Sequence, residues 1–161
     1  MKVSIVMGSK SDLDLAKAAG EILDTLDVSY TINILSAHRT PELLHAHIDE
    51  AIADGVRVFI GIAGLAAHLA GNVASKTTLP VIGVPISATR LEGEDALLSI
   101  VQMPSGVPVA TVAVGGARNA GLLAVRMLGI ADESLVDRME EFQGELNAAA
   151  RKKGEKIRRE R

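Results

Sequence analysis

The chain contains no cysteine and no tryptophan, and only one tyrosine and two phenylalanines in 161 residues. Without cysteine there are no disulfides, no thiolate chemistry and no cysteine-ligated zinc. Such a shortage of aromatics leaves little on which nucleic-acid bases could stack. No apolar run approaches the ~18–20 uncharged residues of a membrane span, although hydrophobic residues make up 48% of the chain and mean hydropathy is +0.26. That surplus fits surfaces buried between subunits. Met1-Lys2 leads straight into an apolar run with no signal-peptide pattern, so a cytoplasmic location is expected.

Charge is scarce in one region and concentrated in another. Residues 151–161 hold seven Lys/Arg against two Glu, a net +5 in a chain whose total is −3, so the first 150 residues carry −8. These cations end a helical pattern, where they complement the helix dipole. The tail reads as a solvated helix end, and no nucleic-acid partner is expected.

The common phosphate and catalytic signatures are also missing. There is no G-x-x-x-x-G-K-[ST] and no G-x-G-x-x-G after a strand. No H-E-x-x-H is present, and His45 and His47 lie two apart on a helix, on different faces, so both read as ordinary helix residues and no metal site is expected. Ser9 and Ser36 lack the G-x-S-x-G elbow of a serine nucleophile.

What is present is an alternation of strand and helix patterns. Lys2–Met7 reads as a buried strand. A helix follows over about Asp12–Leu26, with apolar Leu15, Ala19, Ile22, Leu23 and Leu26 at helical spacing and Ser11/Asp14 at capping-box spacing. Val28–Leu35 is a second strand, and Pro41–Asp54 a helix with Thr40 as N-cap and Gly55 closing it. Val56–Ala63 is a third strand, followed by a small-residue helix that starts in Gly64–Gly71 and ends near Lys76. Pro80–Pro85 and Val109–Val114 are further strands, and helices are expected over about Gly93–Val101, Ala117–Leu128 and from Asp132 onward.

Five such alternations predict a three-layer α/β/α sandwich around a five-stranded, parallel, doubly wound sheet in the flavodoxin-like order 2-1-3-4-5, with a long C-terminal helix. The chain reads as a single domain, residues 1–130 forming the sheet core and 131–161 the C-terminal helix and basic tail.

Three loops follow strand ends in that order: Gly8–Asp12, Ser36–Pro41 and Gly64–Gly71. In open α/β sheets ligands bind outside the carboxyl ends of the strands, where the winding reverses. Each loop also precedes a helix N-terminus, which favours an anion. Ser36, His38 and Arg39 place a hydroxyl, an imidazole and a guanidinium within four residues. His38 and His68 are the nearby groups that titrate around neutrality. The expected ligand is a small phosphorylated molecule beside a proton-transfer group.

These residues carry a family resemblance. Met7-Gly8-Ser9-Lys10-Ser11-Asp12, Ser36-Ala37-His38-Arg39-Thr40-Pro41, Ala66-Ala67-His68-Leu69, Gly83-Val84-Pro85 and the segment from Ser99 through Met103-Pro104-Ser105-Gly106 to Val109 resemble the 5-(carboxyamino)imidazole ribonucleotide mutases of purine biosynthesis, in the same order from Met1 to about Leu128. The resemblance implies transfer of a carboxylate from nitrogen to ring carbon C4, through decarboxylation, retention of CO2 and recarboxylation, with no cofactor. It implies His38 as acid–base and His68 as a second active-site histidine. Ser9, Asp12, Ser36, Arg39 and Gly64 become nucleotide-binding positions, Arg39 through phosphate. It further implies a homo-octamer with Met103–Gly106 near a neighbouring subunit's site.

The chain departs from the family pattern in one loop. Where Gly-Gly-Ala-Ala-His-Leu-Pro-Gly-Met is expected it has Leu65, Ala70 and Asn72 as replacements. A leucine at a glycine position either narrows the pocket or demands a different backbone. Two alternatives follow: the related carboxylase, which takes aminoimidazole ribonucleotide and free CO2 and is expected to lack the loop histidine, and a non-catalytic nucleotide-binding oligomer.

Overall fold

In the computed structural model, which describes residues 1–159, strands β1 (Lys2–Met7), β2 (Ser29–Ile34), β3 (Val56–Gly64), β4 (Val81–Ile86) and β5 (Ala110–Thr111) form one sheet. Its order is β2-β1-β3-β4-β5, and every neighbouring pair is parallel. The connecting helices are α1 (Leu13–Thr25), α2 (Pro41–Ala53), α3 (Leu69–Lys76), α4 (Glu94–Val101), α5 (Ala117–Gly129) and α6 (Glu133–Arg159). The expected doubly wound α/β architecture is the observed one.

Alternating strand side chains supply two cores. Val3, Ile5, Val58, Ile60 and Ile82 pack with α1, α5 and the first turns of α6, where Leu135 and Met139 are buried. Val6, Phe59 and Val81 point the other way and pack with Leu44 and Ile48 of α2, Val73 of α3 and Ile100 of α4. β1 is buried from Val3 to Met7 and β3 from Val58 to Ala63, as strands covered on both faces must be. Ser4 is the fully buried polar residue of β1, and its hydroxyl meets His47 Nε2 of α2 at 2.9 Å. Burial pushes the His47 imidazole below its ordinary value of 6.5, with Glu50 opposing part of the shift.

Two local expectations are corrected. β5 spans two residues rather than Val109–Val114. The carbonyl of Pro85 accepts from Gly115 N on that side at 2.9 Å, so the N–H that proline lacks is missing from the same edge and the ladder stops. The capping box of Ser11 and Asp14 does not form, because Lys10–Asp12 is a 3₁₀ turn with Ser9 at its N-cap, accepting from Ser11 N at 3.3 Å. α3 starts at Leu69, inside the expected stretch 64–71, and ends at Lys76; ahead of it Leu65 has a left-handed backbone, φ +59, which no α-helix accommodates.

Beyond Phe142, α6 leaves the core: residues 143–158 are exposed throughout. The end of the basic tail, Glu160 and Arg161, lies outside the described residues. No helix among the described residues is long and apolar enough to cross a membrane.

Candidate active site

The turn from β2 to α2 is built by its own hydroxyls. Ser36 Oγ accepts from the backbone N–H of Arg39 at 3.1 Å and from Arg39 Nε at 3.3 Å. Thr40 Oγ1 accepts from Ser36 N at 3.0 Å and reaches Ser36 O at 3.2 Å. Thr40 thus occupies the N-cap position with Pro41 in the first turn, but its hydroxyl closes the loop backwards and makes no cap bond to α2. The result is a rigid turn that presents His38 and Arg39 outward.

Arg39 joins two loops. Its Nη2 donates to Gly8 O, at the end of β1, at 2.9 Å. With Nε on Ser36, two of the five guanidinium N–H donors are used, and the remaining three are left for an anion. In the β1 loop, Ser11 Oγ lies 3.0 Å from Ser9 Oγ and 2.8 Å from Asp12 Oδ1. The second carboxylate oxygen of Asp12 stays available as an acceptor.

His38 and His68 arrive from different strand ends and meet. Nε2 of His38 is 2.9 Å from Nδ1 of His68, the ring centroids are 5.0 Å apart, and the planes are crossed at 79°. At that distance one ring donates and the other accepts, so the tautomer of each fixes that of its partner.

Apart from Thr40 and Pro41, these groups line one open crevice of about 510 Å³ at the carboxyl ends of β1, β2 and β3. The crevice holds every expected site residue: Ser9, Asp12, Ser36, His38, Arg39, Gly64 and His68. Its lining divides by strand. The β1 and β2 loops supply most of the polar lining, Ser9, Ser11, Asp12, Ser36, His38 and Arg39 with the methyl of Ala37 among them, whereas the β3 and β4 ends supply the mostly apolar Ala63, Gly64, Leu65, Ala66, Leu69 and Ala88 around His68. Sequence reasoning missed Ala88, although β4 neighbours β3 and its following loop must edge the same crevice. Gly64 lets that loop approach: a Cβ there would lie 3.0 Å from the Ala88 methyl.

A family model described as AIR carboxylase matches residues 2–149. The chain belongs to the AIR carboxylase family. It is 53% identical over 145 residues to the N5-carboxyaminoimidazole ribonucleotide mutase of Saccharolobus solfataricus, covering 90% of this chain and 92% of that one. It is 52% identical over 155 residues to the chloroplastic phosphoribosylaminoimidazole carboxylase of Vigna aconitifolia. It spans 96% of itself there but only 28% of that longer protein. In three dimensions it is similar to a crystal structure of Treponema denticola PurE, with a TM-score of 0.88, 31% identity, and coverage of 96% of this chain and 97% of that one.

The departures in this family member's β3–α3 loop have distinct structural outcomes. Leu65 keeps a glycine-like backbone at φ +59, a conformation that costs a residue with a Cβ roughly 1–2 kcal/mol. Ala70 is fully buried, and its Cα sits so close to Gly61 that a Cβ on that glycine would come within 3.0 Å. Asn72 Oδ1 faces His45 Nε2 at 2.9 Å, tying α3 to α2. His45 and His47 therefore both have structural partners, as ordinary helix residues do. Among the described residues no three His, Cys, Asp or Glu side chains are grouped as metal ligands would be.

Proposed function

We propose that the protein is an N5-carboxyaminoimidazole ribonucleotide mutase of purine biosynthesis, converting 5-(carboxyamino)imidazole ribonucleotide into 4-carboxy-5-aminoimidazole ribonucleotide. Relatives bearing the mutase name match at about half identity over most of both chains, among them those of Saccharolobus solfataricus and Vibrio parahaemolyticus. The observation that carries the reading is the contact of His38 with His68 at the junction of the polar and apolar linings. A phosphorylated sugar bearing a small planar ring matches both sides of that junction.

In this reading Arg39 and the Ser9 and Ser36 hydroxyls hold the phosphate end, Asp12 accepts from ribose hydroxyls, and the Gly64 backbone approaches the ring. Breaking the N–CO2 bond requires a proton on the departing nitrogen. C4 then attacks the released CO2, and the C4 proton must leave. One proton is delivered and one removed, so His38 ends the cycle as it began, with His68 orienting it and sharing its hydrogen. The amino group of the ring supplies the electron density at C4, and the reaction balances with no cofactor. Closed over the bound nucleotide, the crevice would retain CO2 and exclude water.

The protein is further proposed to act in the cytoplasm as a homo-octamer, Met103–Gly106 lying near a neighbouring subunit's site. Exposed Leu98 and Val101 on α4, adjoining that segment, support an interface there.

The carboxylase remains the second reading, because relatives named as carboxylases match at 52% identity. Product formation in CO2-depleted and bicarbonate buffers, from the carboxyamino nucleotide and from the aminoimidazole nucleotide, separates the two. Turnover of the carboxyamino form without added CO2 is the expected result. Turnover of the aminoimidazole form alone, and only with bicarbonate, makes the protein a carboxylase. Binding without turnover of either leaves a nucleotide-binding scaffold.

A further inference from the structure

Leu65 is unfavourable twice over in the free chain. Its backbone is left-handed, φ +59, and the residue is 58% exposed. A leucine in a core recovers strain by burial, and one on a solvated surface can be replaced at little cost; this leucine is strained and wet at once. Such outliers gather where a ligand is clamped. Leu65 lines the crevice, on the side built from Ala63, Gly64, Ala66, Leu69 and Ala88, and precedes His68 by three residues. The neighbouring changes at Ala70 and Asn72 are explained inside the chain, by packing on Gly61 and by the bond to His45. Among the described residues none packs on Leu65 in a comparable way.

We infer that Leu65 is a specificity-determining residue that lies against the flat face of the bound nucleotide's heterocycle. The ring buries the leucine on binding; a sugar phosphate without a ring leaves it in water. The inference rests on the nucleotide reading above and adds the side chain that recognises the ring.

The absence of cysteine gives a direct test, because Leu65→Cys introduces the only thiol in the chain. The full-length variant is labelled with a maleimide, alone, with 5-aminoimidazole ribonucleotide, or with ribose 5-phosphate, and binding of each ligand is measured by calorimetry on the same samples. Labelling is expected to slow about a hundredfold when the nucleotide is present at a hundred times its dissociation constant, and to be unaffected by ribose 5-phosphate. Leu65→Gly is expected to raise the dissociation constant for the nucleotide roughly tenfold without changing that for ribose 5-phosphate. Nucleotide binding without protection of the thiol overturns the inference and leaves the proposed activity standing. A thiol already unreactive in the free protein overturns it too, since another copy of the chain then covers residue 65. Failure of the parental protein to bind the nucleotide overturns the activity reading and this inference with it.

Discussion

His38 Nε2 and His68 Nδ1 share one hydrogen across 2.9 Å, although the residues are thirty apart in sequence and follow different strands. If His38 is the group that moves the proton, His38→Asn removes proton transfer while keeping a polar side chain in the turn. Turnover is expected to fall roughly 10²–10⁴-fold, with nucleotide affinity nearly unchanged. A variant retaining more than about a tenth of the parental rate would remove His38 from that role.

Arg39 has two donors committed to Ser36 and Gly8 and three remaining. Arg39→Ala is expected to weaken nucleotide binding by roughly 2–5 kcal/mol, as loss of one partner of a desolvated charge pair does. Arg39→Lys should recover only part, because a point charge cannot span both Gly8 and a phosphate. A calorimetric titration that gives the parental affinity for Arg39→Ala contradicts the assignment.

His47 sets an acid limit on stability. Burial against β1 holds its pKa below 6.5, so below that pH the unfolded chain binds the proton more readily than the folded one. Its contribution is therefore complete above about pH 6.5 and is lost as pH falls towards the folded-state value. Urea midpoints measured down to about pH 5 should decline less steeply in His47→Gln, which keeps a hydrogen-bonding group for Ser4. Parallel slopes for the two proteins would contradict this.

Gly61 is where α3 touches the sheet. A methyl there meets the Ala70 backbone at 3.0 Å, so Gly61→Ala should cost about 1–3 kcal/mol by overpacking. It should also lower turnover by shifting the start of α3, where His68 sits. Adding Ala70→Gly should not restore stability, because the Ala70 Cα is as close as its Cβ. Full recovery in a thermal melt of the double variant would show that only the methyl groups clash.

The strand order and the three loops of the crevice were legible because they follow from periodicity and from the geometry of a doubly wound sheet. Ser36, His38 and Arg39 could be placed at a strand end by the switch from β-branched to helical spacing. What stayed hidden was tertiary. The Thr40 hydroxyl has the identity of a cap, yet Ser36 competes for it at closer range. β5 has the composition of a six-residue strand, but Pro85 on the adjacent strand shortens it. Ala88 gave no chemical signal at all, being a methyl group that only the packing of β4 beside β3 brings to the crevice. The left-handed Leu65 had no signal either: a leucine at a glycine position pointed to a narrowed pocket or a different backbone, and the residue keeps the glycine-like φ of +59.

Two of the crevice loops hang directly from β1 and β3, neighbouring inner strands of the sheet, with Gly8 N bonded to Ile62 O across their ends at 3.2 Å. Occupancy of the crevice and integrity of the sheet are therefore thermodynamically linked. A ligand held there binds the folded sheet and not the unfolded chain, so its binding free energy is added to that of the whole domain. Saturating nucleotide should move the single melting transition upward by mass action, near 2.7 kcal/mol at a hundred times the dissociation constant. The melting curve of the entire protein thus becomes a binding isotherm for one small cleft.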